Sequence, residues 1–344
     1  MVEVSVHSER SYAIEVDINW RESLRKILTR HEQVLIVAPE GLSEILDLQD
    51  GDLLYLPEGE HQKDIPSLTL IWKKLGEIQL DRKGAIIAIG GGATSDVAGF
   101  AAATWLRGID WYAIPTTLAA MVDASIGGKT AINTEAGKNM VGAFHSPAGV
   151  FIDLSFLSTL SDRDLAAGLA EVIKTGFIAD RKILEILDRV SNITAVKEVA
   201  SELVERSAKV KAHVVSSDFK EGRLREILNF GHTFGHAVEK LQNYEWRHGE
   251  AVAVGMVYEM ILAEEIAGIS IEMRERLCAL LTKFNLPTSI SDLGWEPILL
   301  LMQGDKKARS GELRFVSIEG YGKPYWLESV PAEIAQRSYE RILT

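Results

Sequence analysis

The feature that most limits the fold is a strand that runs into a glycine-rich turn and then a helix. Ala85–Ile89 is a short apolar run, Gly90–Asp96 follows it, and helical spacing is found at Val97–Thr104. Glycines at such a junction let backbone amides approach a phosphate, and a helix start adds partial positive charge. The first two glycines of Gly-x-Gly-x-x-Gly are present, but Ser95 stands at the third position. We expect a pyrophosphate site, with a packed tight turn as the alternative.

Strand-like and helix-like segments alternate through the first half of the chain. The strand-like segments are Ser11–Asp17, Gln33–Ala38, Asp52–Leu56 and Trp111–Ile114, and the helix-like ones are Trp20–Thr29 and Ser67–Leu75. Such alternation predicts an α/β, Rossmann-like dinucleotide-binding domain, which we place at residues 1–154. The acid expected after its second strand is missing, since 38–39 reads Ala-Pro. Glu60 is the better candidate to hold a ribose.

A second polar and glycine-rich stretch follows. It contains Asp123, Lys129, Lys138 and Asn139 among several glycines. Gly-Lys-Thr at 128–130 suggests a P-loop, but that motif needs glycine where Asp123 stands. We therefore expect a loop that closes over an anion, with a solvated turn cluster as the alternative.

From about residue 155 the pattern becomes mainly α-helical, so residues 155–344 are predicted to form a second domain. Ser161–Asp164 is a capping box that opens a helix. Glu171 and Lys174 share one face of that helix. They form either a salt bridge or a metal-ligand carboxylate beside a charged catalytic group. A hairpin is predicted at Glu312–Ile318 and Pro324–Glu328.

Three of the eight histidines fall within a short stretch, at His232, His236 and His248. The first two are four residues apart and share a helix face, where imidazoles can bind a divalent metal. No Glu follows His232, which excludes the His-Glu-x-x-His arrangement. Two histidines packed near a helix start remain the alternative. Asn229 and Arg225 are predicted to lie one and two turns upstream on the same side.

Composition limits the partners. The net charge of −12 disfavours nucleic acid and anionic membranes. The first residues lack the pattern of a signal peptide, and no stretch has the length of a membrane span. Cys278 is the single cysteine, which excludes an intrachain disulfide and fits a reducing compartment. We expect a cytoplasmic protein that binds its anionic substrate through locally clustered cations.

Taken together, these stretches resemble the 3-dehydroquinate synthases of the sugar-phosphate cyclase family. The resemblance spans nearly the whole chain in the family's order. The matching segments are Pro57–Lys63, Gly90–Phe100, Arg107-Gly108, Ile114–Gly142, Gly168–Lys174, Lys211, Leu224–Glu239, His248–Gly255 and Asp305–Lys307.

The resemblance implies conversion of 3-deoxy-D-arabino-heptulosonate 7-phosphate to 3-dehydroquinate and phosphate. NAD⁺ oxidises a ring hydroxyl, phosphate leaves by β-elimination, the ketone is reduced again, and an aldol step closes the carbocycle. It also implies zinc, or cobalt in its place, bound by Glu171, His232 and His248. Such a metal lowers the pKa of the hydroxyl that is oxidised.

The resemblance assigns the remaining residues to the substrate and the cofactor. His236 handles a proton or contacts substrate, and the pocket lining includes Asp123, Lys129, Asn139, Lys174 and Asn229. The phosphate is expected to meet Lys129, Asn139, Lys306 or Lys307, and Arg107 of a partner subunit in a homodimer. Lys211 and Arg225 are expected to receive the carboxylate. NAD contacts are expected from Glu58, Gly59, Glu60, His61, Gln62, Lys63, Gly92, Ala93, Thr94, Ser95, Asp96, Thr116, Thr117, Lys129, Lys138, Phe156, Leu157, Ser158 and Thr159.

The chain departs from the family pattern at Ser95, His145 and Thr175, which concerns details of the cofactor contacts. Rival functions are a cyclase that makes amino-dehydroquinate or a cyclitol, and a metal-dependent polyol dehydrogenase. Lys211 and Arg225 together favour a substrate that carries a carboxylate. A non-enzymatic binding protein is disfavoured by the Glu-His-His set.

Overall fold

The computed structural model describes residues 1–48, 51–135, 137–304 and 313–344, and these residues form two compact units. The first unit comprises Met1–Thr159 and Lys211–Lys220, and the second comprises Leu160–Val210 and Glu221–Thr344. The first is α/β and the second is mainly helical, which confirms the predicted fold class. The domain boundary placed after residue 154 stays a prediction.

The first unit is built on a seven-stranded sheet in the order β1-β2-β9-β6-β5-β3-β4. All neighbouring strands are parallel except β1, which pairs antiparallel with β2 at one edge. The strands are β1 Val2–His7, β2 Ser11–Val16, β3 Val34–Pro39, β4 Asp52–Leu56, β5 Ala85–Gly90, β6 Asp110–Pro115 and β9 Gly149–Ile152. The helices are α1 Trp20–Arg30, α2 Ser43–Leu46, α3 Ile65–Glu77 and α4 Gly92–Thr104. A separate hairpin is formed by β7 Lys129–Thr134 and β8 Gly137–Phe144.

The centre of this sheet is buried on both faces. Every residue of β3 and β5 is buried, as expected for parallel strands covered by helices. The chain leaves β3 toward β4 but leaves β5 toward β6, on the other side. Connections that diverge in this way open a crevice at the carboxyl ends of the two strands. The glycine turn that follows β5 lies at that point.

Two local expectations for this unit were wrong. The helix expected from Val97 begins at Gly92, because Gly91 is extended and the chain turns at once into α4. Gly, Thr and Ser have low helix propensity, and packing on the sheet overrides it. The stretch expected to be a loop contains the hairpin β7–β8 instead. Gly142 lets these strands approach, since an added Cβ would lie 2.2 Å from the Thr130 carbonyl oxygen.

The second unit is organised around one helix, α9. It is buried along most of its length and packs on α5, α8, α10, α12 and β10, as expected of a helix that is apolar on all sides. The helices are α5 Asp162–Ile178, α6 Arg181–Arg189, α7 Ala200–Ser217, α8 His232–Leu241, α9 His248–Ala267, α10 Ile271–Lys283, α11 Trp295–Gly304 and α12 Ala332–Glu340. β10 Leu313–Gly320 and β11 Lys323–Val330 pair antiparallel, which confirms the hairpin over its described residues. The last part of α7, from Lys211, belongs to the first unit.

Glycines allow α5, α8 and α9 to approach closely. A Cβ on Gly249 of α9 would lie 1.8 Å from the carbonyl oxygen of Ala167 on α5. A Cβ on Gly255 would lie 1.8 Å from the carbonyl oxygen of Gly231, which immediately precedes α8. No side chain fits either position without moving a helix. The three helices are therefore brought together by positions that the sequence pattern alone does not mark.

The segment before α8 corrects one expectation. Arg225 and Asn229 were placed on the same helix as His232, but they lie in a 3-10 helix at Leu224–Asn229. Gly231, with φ +83°, ends that segment in the left-handed region, and α8 begins at His232. The three residues therefore do not form one helical face.

Within the described residues, no helix is both long enough and apolar enough to cross a membrane.

Candidate active site

A carboxylate and two imidazoles come together in the second unit, each from a different helix. Glu171 lies on α5, His232 begins α8 and His248 begins α9. Nε2 of His232 is 3.7 Å and Nε2 of His248 is 3.4 Å from Oε1 of Glu171. One donor atom from each of the three residues lies within 4.8 Å of the others. Nitrogen and oxygen donors at this spacing suit a borderline divalent cation such as zinc or cobalt.

The other ring nitrogens of both histidines also have partners. Nδ1 of His232 lies 3.2 Å from the carbonyl oxygen of Phe230, and Nδ1 of His248 lies 3.4 Å from Oε2 of Glu239. Histidines that bind metals commonly donate their second N–H to a carbonyl or a carboxylate. The donor set and its surroundings therefore fit a divalent cation.

Two carboxylates and one buried lysine set the charge around this group. Lys174 contacts the Glu171 carboxylate, and both side chains are buried. Burial lowers the pKa of His248, but its hydrogen bonds to the Glu171 and Glu239 carboxylates outweigh that effect and raise the pKa to about 10. Two carboxylates thus draw positive charge to one ring, and a metal bound there would replace a proton.

His236 lies one turn after His232 on α8. Its ring centroid is 5.3 Å from that of His232 and 5.9 Å from that of His248, and the residue is exposed. It therefore borders the Glu-His-His group from the solvent side. His236, Glu239 and His248 form a second group of potential ligands that shares one histidine with the first.

Arg225 and Asn229 flank the start of α8 on the 3-10 segment. The Arg225 side chain is almost fully buried, with 1% exposure. Its neighbour Glu226 is bound by both terminal nitrogens of Arg314, at 3.3 and 2.8 Å. Asn229 donates from Nδ2 to Oε1 of Glu221 at 3.0 Å. These contacts hold the 3-10 segment that carries the buried Arg225 side chain.

The predicted cofactor residues of the first unit gather at the carboxyl ends of its parallel strands. The N–H of Thr116, just after β6, donates to the carbonyl oxygen of Gly90 at 2.9 Å. Among the described residues, the side-chain oxygens of Thr94 and Ser95 and Oε1 of Gln62 are buried without a hydrogen-bond partner. Glycine amides at a helix start, bordered by such polar atoms, fit the pyrophosphate of a dinucleotide.

Lys63 is the centre of a charged network beside this turn. Its Nζ lies 2.7 Å from Asp96, 3.4 Å from Glu60 and 2.6 Å from Oδ1 of Asn139. Burial lowers the pKa of Lys63, but Asp96 and Glu60 outweigh it and the pKa is raised. Burial raises the pKa of Glu60, but the opposing effect of Lys63 and Lys138 is larger, so the pKa lies below its usual value. Glu60 is therefore held as an anion, as a hydrogen bond to a ribose requires.

The polar residues of the second glycine-rich stretch lie on two different elements, a helical turn and the hairpin β7–β8. Asp123 lies in a π-helical turn, Ala120–Ala124, a form of helix that is frequent at functional sites. Lys211, on the part of α7 that belongs to this unit, donates to the Asp123 carboxylate. Lys129 begins β7 and is exposed. Lys211 and Arg225 belong to different units, and their joint grip on a carboxylate stays a prediction.

Some predicted residues are not gathered with these groups. Arg107 is exposed and precedes β6, so within its unit it lies a strand length from Thr116. Phe156 and Leu157 are buried, and the Phe156 ring lies 5.7 Å from that of Trp20. The remaining NAD candidates lie shortly after β4, β5, β6 and β9, and they include Glu58, Gly59, His61, Gly92, Ala93, Thr117, Ser158 and Thr159. Lys306 and Lys307 lie outside the described residues.

Three residues with contacts to these groups were given no role in the sequence analysis. Glu239 contacts His248, and Asn133 donates to Oε1 of Glu60 at 2.7 Å. Glu259, which is fully buried in α9, accepts the Gly231 N–H at 2.6 Å and so fixes the turn before His232. A charged residue inside an apolar helix was the available signal for Glu259. Nothing local marks the other two.

Comparison with protein families gives two matches. The model of the 3-dehydroquinate synthase N-terminal region matches residues 53–167, and that of the C-terminal region matches residues 168–308. Together they cover most of the chain, including the Glu-His-His group and the glycine turn.

Individual relatives agree with the family models. The chain is 42% identical to 3-dehydroquinate synthase of Mycolicibacterium vanbaalenii, over 99% of the chain and 98% of the relative. It is 46% identical to 3-dehydroquinate synthase of Rhodococcus erythropolis, over 93% of the chain and 88% of the relative. Among solved structures, 2-deoxy-scyllo-inosose synthase complexed with carbaglucose-6-phosphate, NAD⁺ and Co²⁺ has a TM-score of 0.88 and 26% identity, and the match covers 98% of this chain and all of that one.

Proposed function

The chain belongs to the 3-dehydroquinate synthase family, and from this premise we infer that it converts 3-deoxy-D-arabino-heptulosonate 7-phosphate to 3-dehydroquinate and phosphate. The reaction belongs to the shikimate pathway of aromatic amino-acid biosynthesis. It combines a transient oxidation, β-elimination of phosphate, re-reduction and aldol closure, with no net redox change. The enzyme is a carbon–oxygen lyase that uses NAD and a divalent metal. The observation that carries this inference is identity above two fifths across nearly the whole chain.

Glu171, His232 and His248 would hold the metal, zinc or cobalt. The support is the convergence of their donor atoms within 4.8 Å. Three protein ligands leave positions open for substrate oxygens. When bound, the cation would polarise the hydroxyl that is oxidised and the carbonyl that forms. Lys174 balances the Glu171 charge. Lys174 and Asn229 in this unit, and Asp123 in the first unit, would each contact the substrate. His236, at the exposed border of the group, would accept or return a proton.

The chain has a net negative charge, so its anionic substrate would be bound by lysine and arginine side chains that cluster locally. Arg225 would receive the substrate carboxylate, because a guanidinium offers two parallel donors in a fixed plane. Lys211 would add a point charge to the same group. Lys129, Asn139 and Lys306 or Lys307 would hold the phosphate. The burial of Arg225 and the exposure of Lys129 support different tasks, one a rigid grip and the other an adaptable contact.

NAD would lie across the carboxyl ends of the parallel strands. The amides at Gly92, Ala93 and Thr94 begin α4 and would meet the pyrophosphate. Glu60, kept ionised by its lysines, would accept hydrogen bonds from a ribose. Asp96 and Asn139 hold Lys63, so these residues and Glu60 form one connected network, which would lie next to the bound cofactor. Phe156–Thr159 follow β9 and would complete the cofactor-binding edge.

The assembly is proposed to be a cytoplasmic homodimer. Arg107 is exposed and lies at the opposite end of β6 from the cofactor residues, which supports a role in a partner's site. Mixing an Arg107→Ala chain with a Lys174→Ala chain should restore activity in hybrid dimers, because each hybrid would contain one intact site. Activity equal to the sum of the separate variants would contradict the shared site.

An assay of inorganic phosphate tests the function. Protein supplied with the heptulosonate phosphate, NAD⁺ and zinc or cobalt should release phosphate and form 3-dehydroquinate in equal amounts. NADH should not accumulate, because each turnover regenerates NAD⁺. Accumulation of NADH with no phosphate would point to a polyol dehydrogenase. Equal turnover of a hexose phosphate that lacks the carboxylate would point to a cyclitol synthase.

A further inference from the structure

His248 is held between two carboxylates. Its Nε2 lies 3.4 Å from Oε1 of Glu171, and its Nδ1 lies 3.4 Å from Oε2 of Glu239. The two nitrogens point in different directions from the ring, so a rotation of the ring changes both contacts. The position and the direction of the ring are therefore defined from both sides.

Glu239 reaches this ring because of its place on α8. His232, His236 and Glu239 follow one another at spacings of four and three residues, which places them within about 60° of one helix face. The Glu239 side chain is 7% exposed, whereas that of His248 is 43% exposed. One face of α8 thus supplies a metal ligand and a buried contact to the histidine of the next helix.

We propose that Glu239 is a positioning residue that selects the tautomer of His248. The carboxylate accepts the Nδ1 hydrogen, so the nitrogen left to exchange its proton for a cation is Nε2, which faces Glu171. When that exchange has taken place, the ring is neutral with its hydrogen on Nδ1, and it binds the cation without turning. The proposal rests on the ligand set proposed above and adds a residue that determines how well that set binds.

A different role for Glu239 is ligation of a second ion with His236 and His248, since these residues also form a potential group. The contact between Nδ1 and Glu239 favours positioning, because a nitrogen that donates a proton to a carboxylate cannot bind a metal as well. The two roles differ in stoichiometry. Positioning predicts one ion in each chain, and a second site predicts two.

The test is metal affinity, measured on metal-free protein by competition with a chromophoric chelator. Glu239→Gln should bind zinc and cobalt about 10- to 100-fold more weakly than the parent, as expected for loss of a carboxylate behind a histidine ligand. The visible absorption of bound cobalt should also change, because the His248 ring is less constrained. Glu239→Asp keeps the charge but shortens the reach, and it provides the same measurement if the glutamine variant does not fold.

Glu264→Gln is the matched control. Glu264 lies on α9, its side chain is 10% exposed, and it is bound by Arg274 and Arg341 at 2.6 and 2.8 Å. This variant should keep the parent's affinity and cobalt spectrum although it loses two ion pairs.

An equal loss in the control, unchanged affinity in both Glu239 variants, or release of one of two bound ions would each overturn the proposal. A parent that releases no phosphate would instead contradict the proposed function, and a parent that releases it while Glu239→Gln binds metal normally would contradict only the role of Glu239.

Discussion

The two units build their sites in opposite ways. In the second unit, side chains from three helices converge on one point, and residues from 171 to 248 contribute. In the first unit, the residues proposed to bind the cofactor lie on short segments after parallel strands, and the backbone amides that begin α4 are proposed to meet the pyrophosphate. A site of convergent side chains depends on how the helices pack, whereas a site of backbone amides depends on a local turn. Substitutions should therefore have larger effects in the helical unit.

Removal of a metal ligand should give the largest effect. His248→Ala is expected to lose bound metal and to reduce phosphate release by at least about 10³-fold, since a Lewis acid contributes several kcal/mol to such a step. Metal content and phosphate release measure this directly. His213→Ala, at an exposed position on α7, is the control and should change neither quantity. Full metal and activity in the His248 variant would contradict the ligand set.

A methyl group between two helices should be nearly as harmful, although it touches no ligand. Gly249→Ala places a Cβ 1.8 Å from the Ala167 carbonyl oxygen unless α9 moves away from α5. Such overpacking costs about 1–3 kcal/mol, and the movement would also separate His248 from Glu171. We expect a lower melting temperature together with weaker metal binding.

Gly76→Ala is the matched control in the first unit. Gly76 lies inside α3, and an added Cβ would meet only the Trp105 ring at 3.8 Å. This variant should be as stable as the parent or slightly more stable, because alanine favours a helix. If Gly249→Ala behaves in the same way, the helices are not held together as we describe.

Substitution of Arg225, which is proposed to bind the substrate carboxylate, should have the third-largest effect. Arg225→Lys keeps a positive charge but loses the planar fork, and kcat/KM should fall on the order of 10²–10³-fold, or about 3–4 kcal/mol, which is in the range for loss of a buried charged contact. Steady-state kinetics of phosphate release test it. Arg223→Lys is the control, because Arg223 is 56% exposed and pairs with Glu328. Similar losses in both variants would indicate damage to the 3-10 segment rather than to substrate binding.

The smallest effect is expected in the glycine turn of the first unit. Ser95→Ala removes one hydroxyl but no backbone amide, so NAD⁺ affinity should weaken by about two- to tenfold, the contribution of one hydrogen bond. Calorimetric titration with NAD⁺ measures it. Ser207→Ala, which removes another buried hydroxyl in the second unit, should leave the affinity unchanged. A loss of 10³-fold at Ser95 would mean that side chains, and not amides, dominate this site.

Sequence patterns predicted the elements whose causes are local. Buried apolar runs marked β3 and β5, the Ser161 cap marked the start of α5, and Glu171 and Lys174 were placed on one face and do form an ion pair. The segment at 129–144 was missed as a hairpin, because its glycines and charges resemble a loop until the strands pair. The start of α4 was missed because low helix propensity was overridden by packing.

The amino-acid sequence by itself determined the fold class and the family, and it supplied the residues proposed to carry the chemistry, since strand and helix periodicity, glycines and ionisable groups are written in consecutive positions. Only the tertiary structure decided which partners those residues have. The bend at Gly231 separates Arg225 and Asn229 from the helix of His232. The contact of Glu239 with His248 and the helix approach at Gly249 join residues through space. These outcomes depend on how helices pack, which no short stretch of sequence specifies.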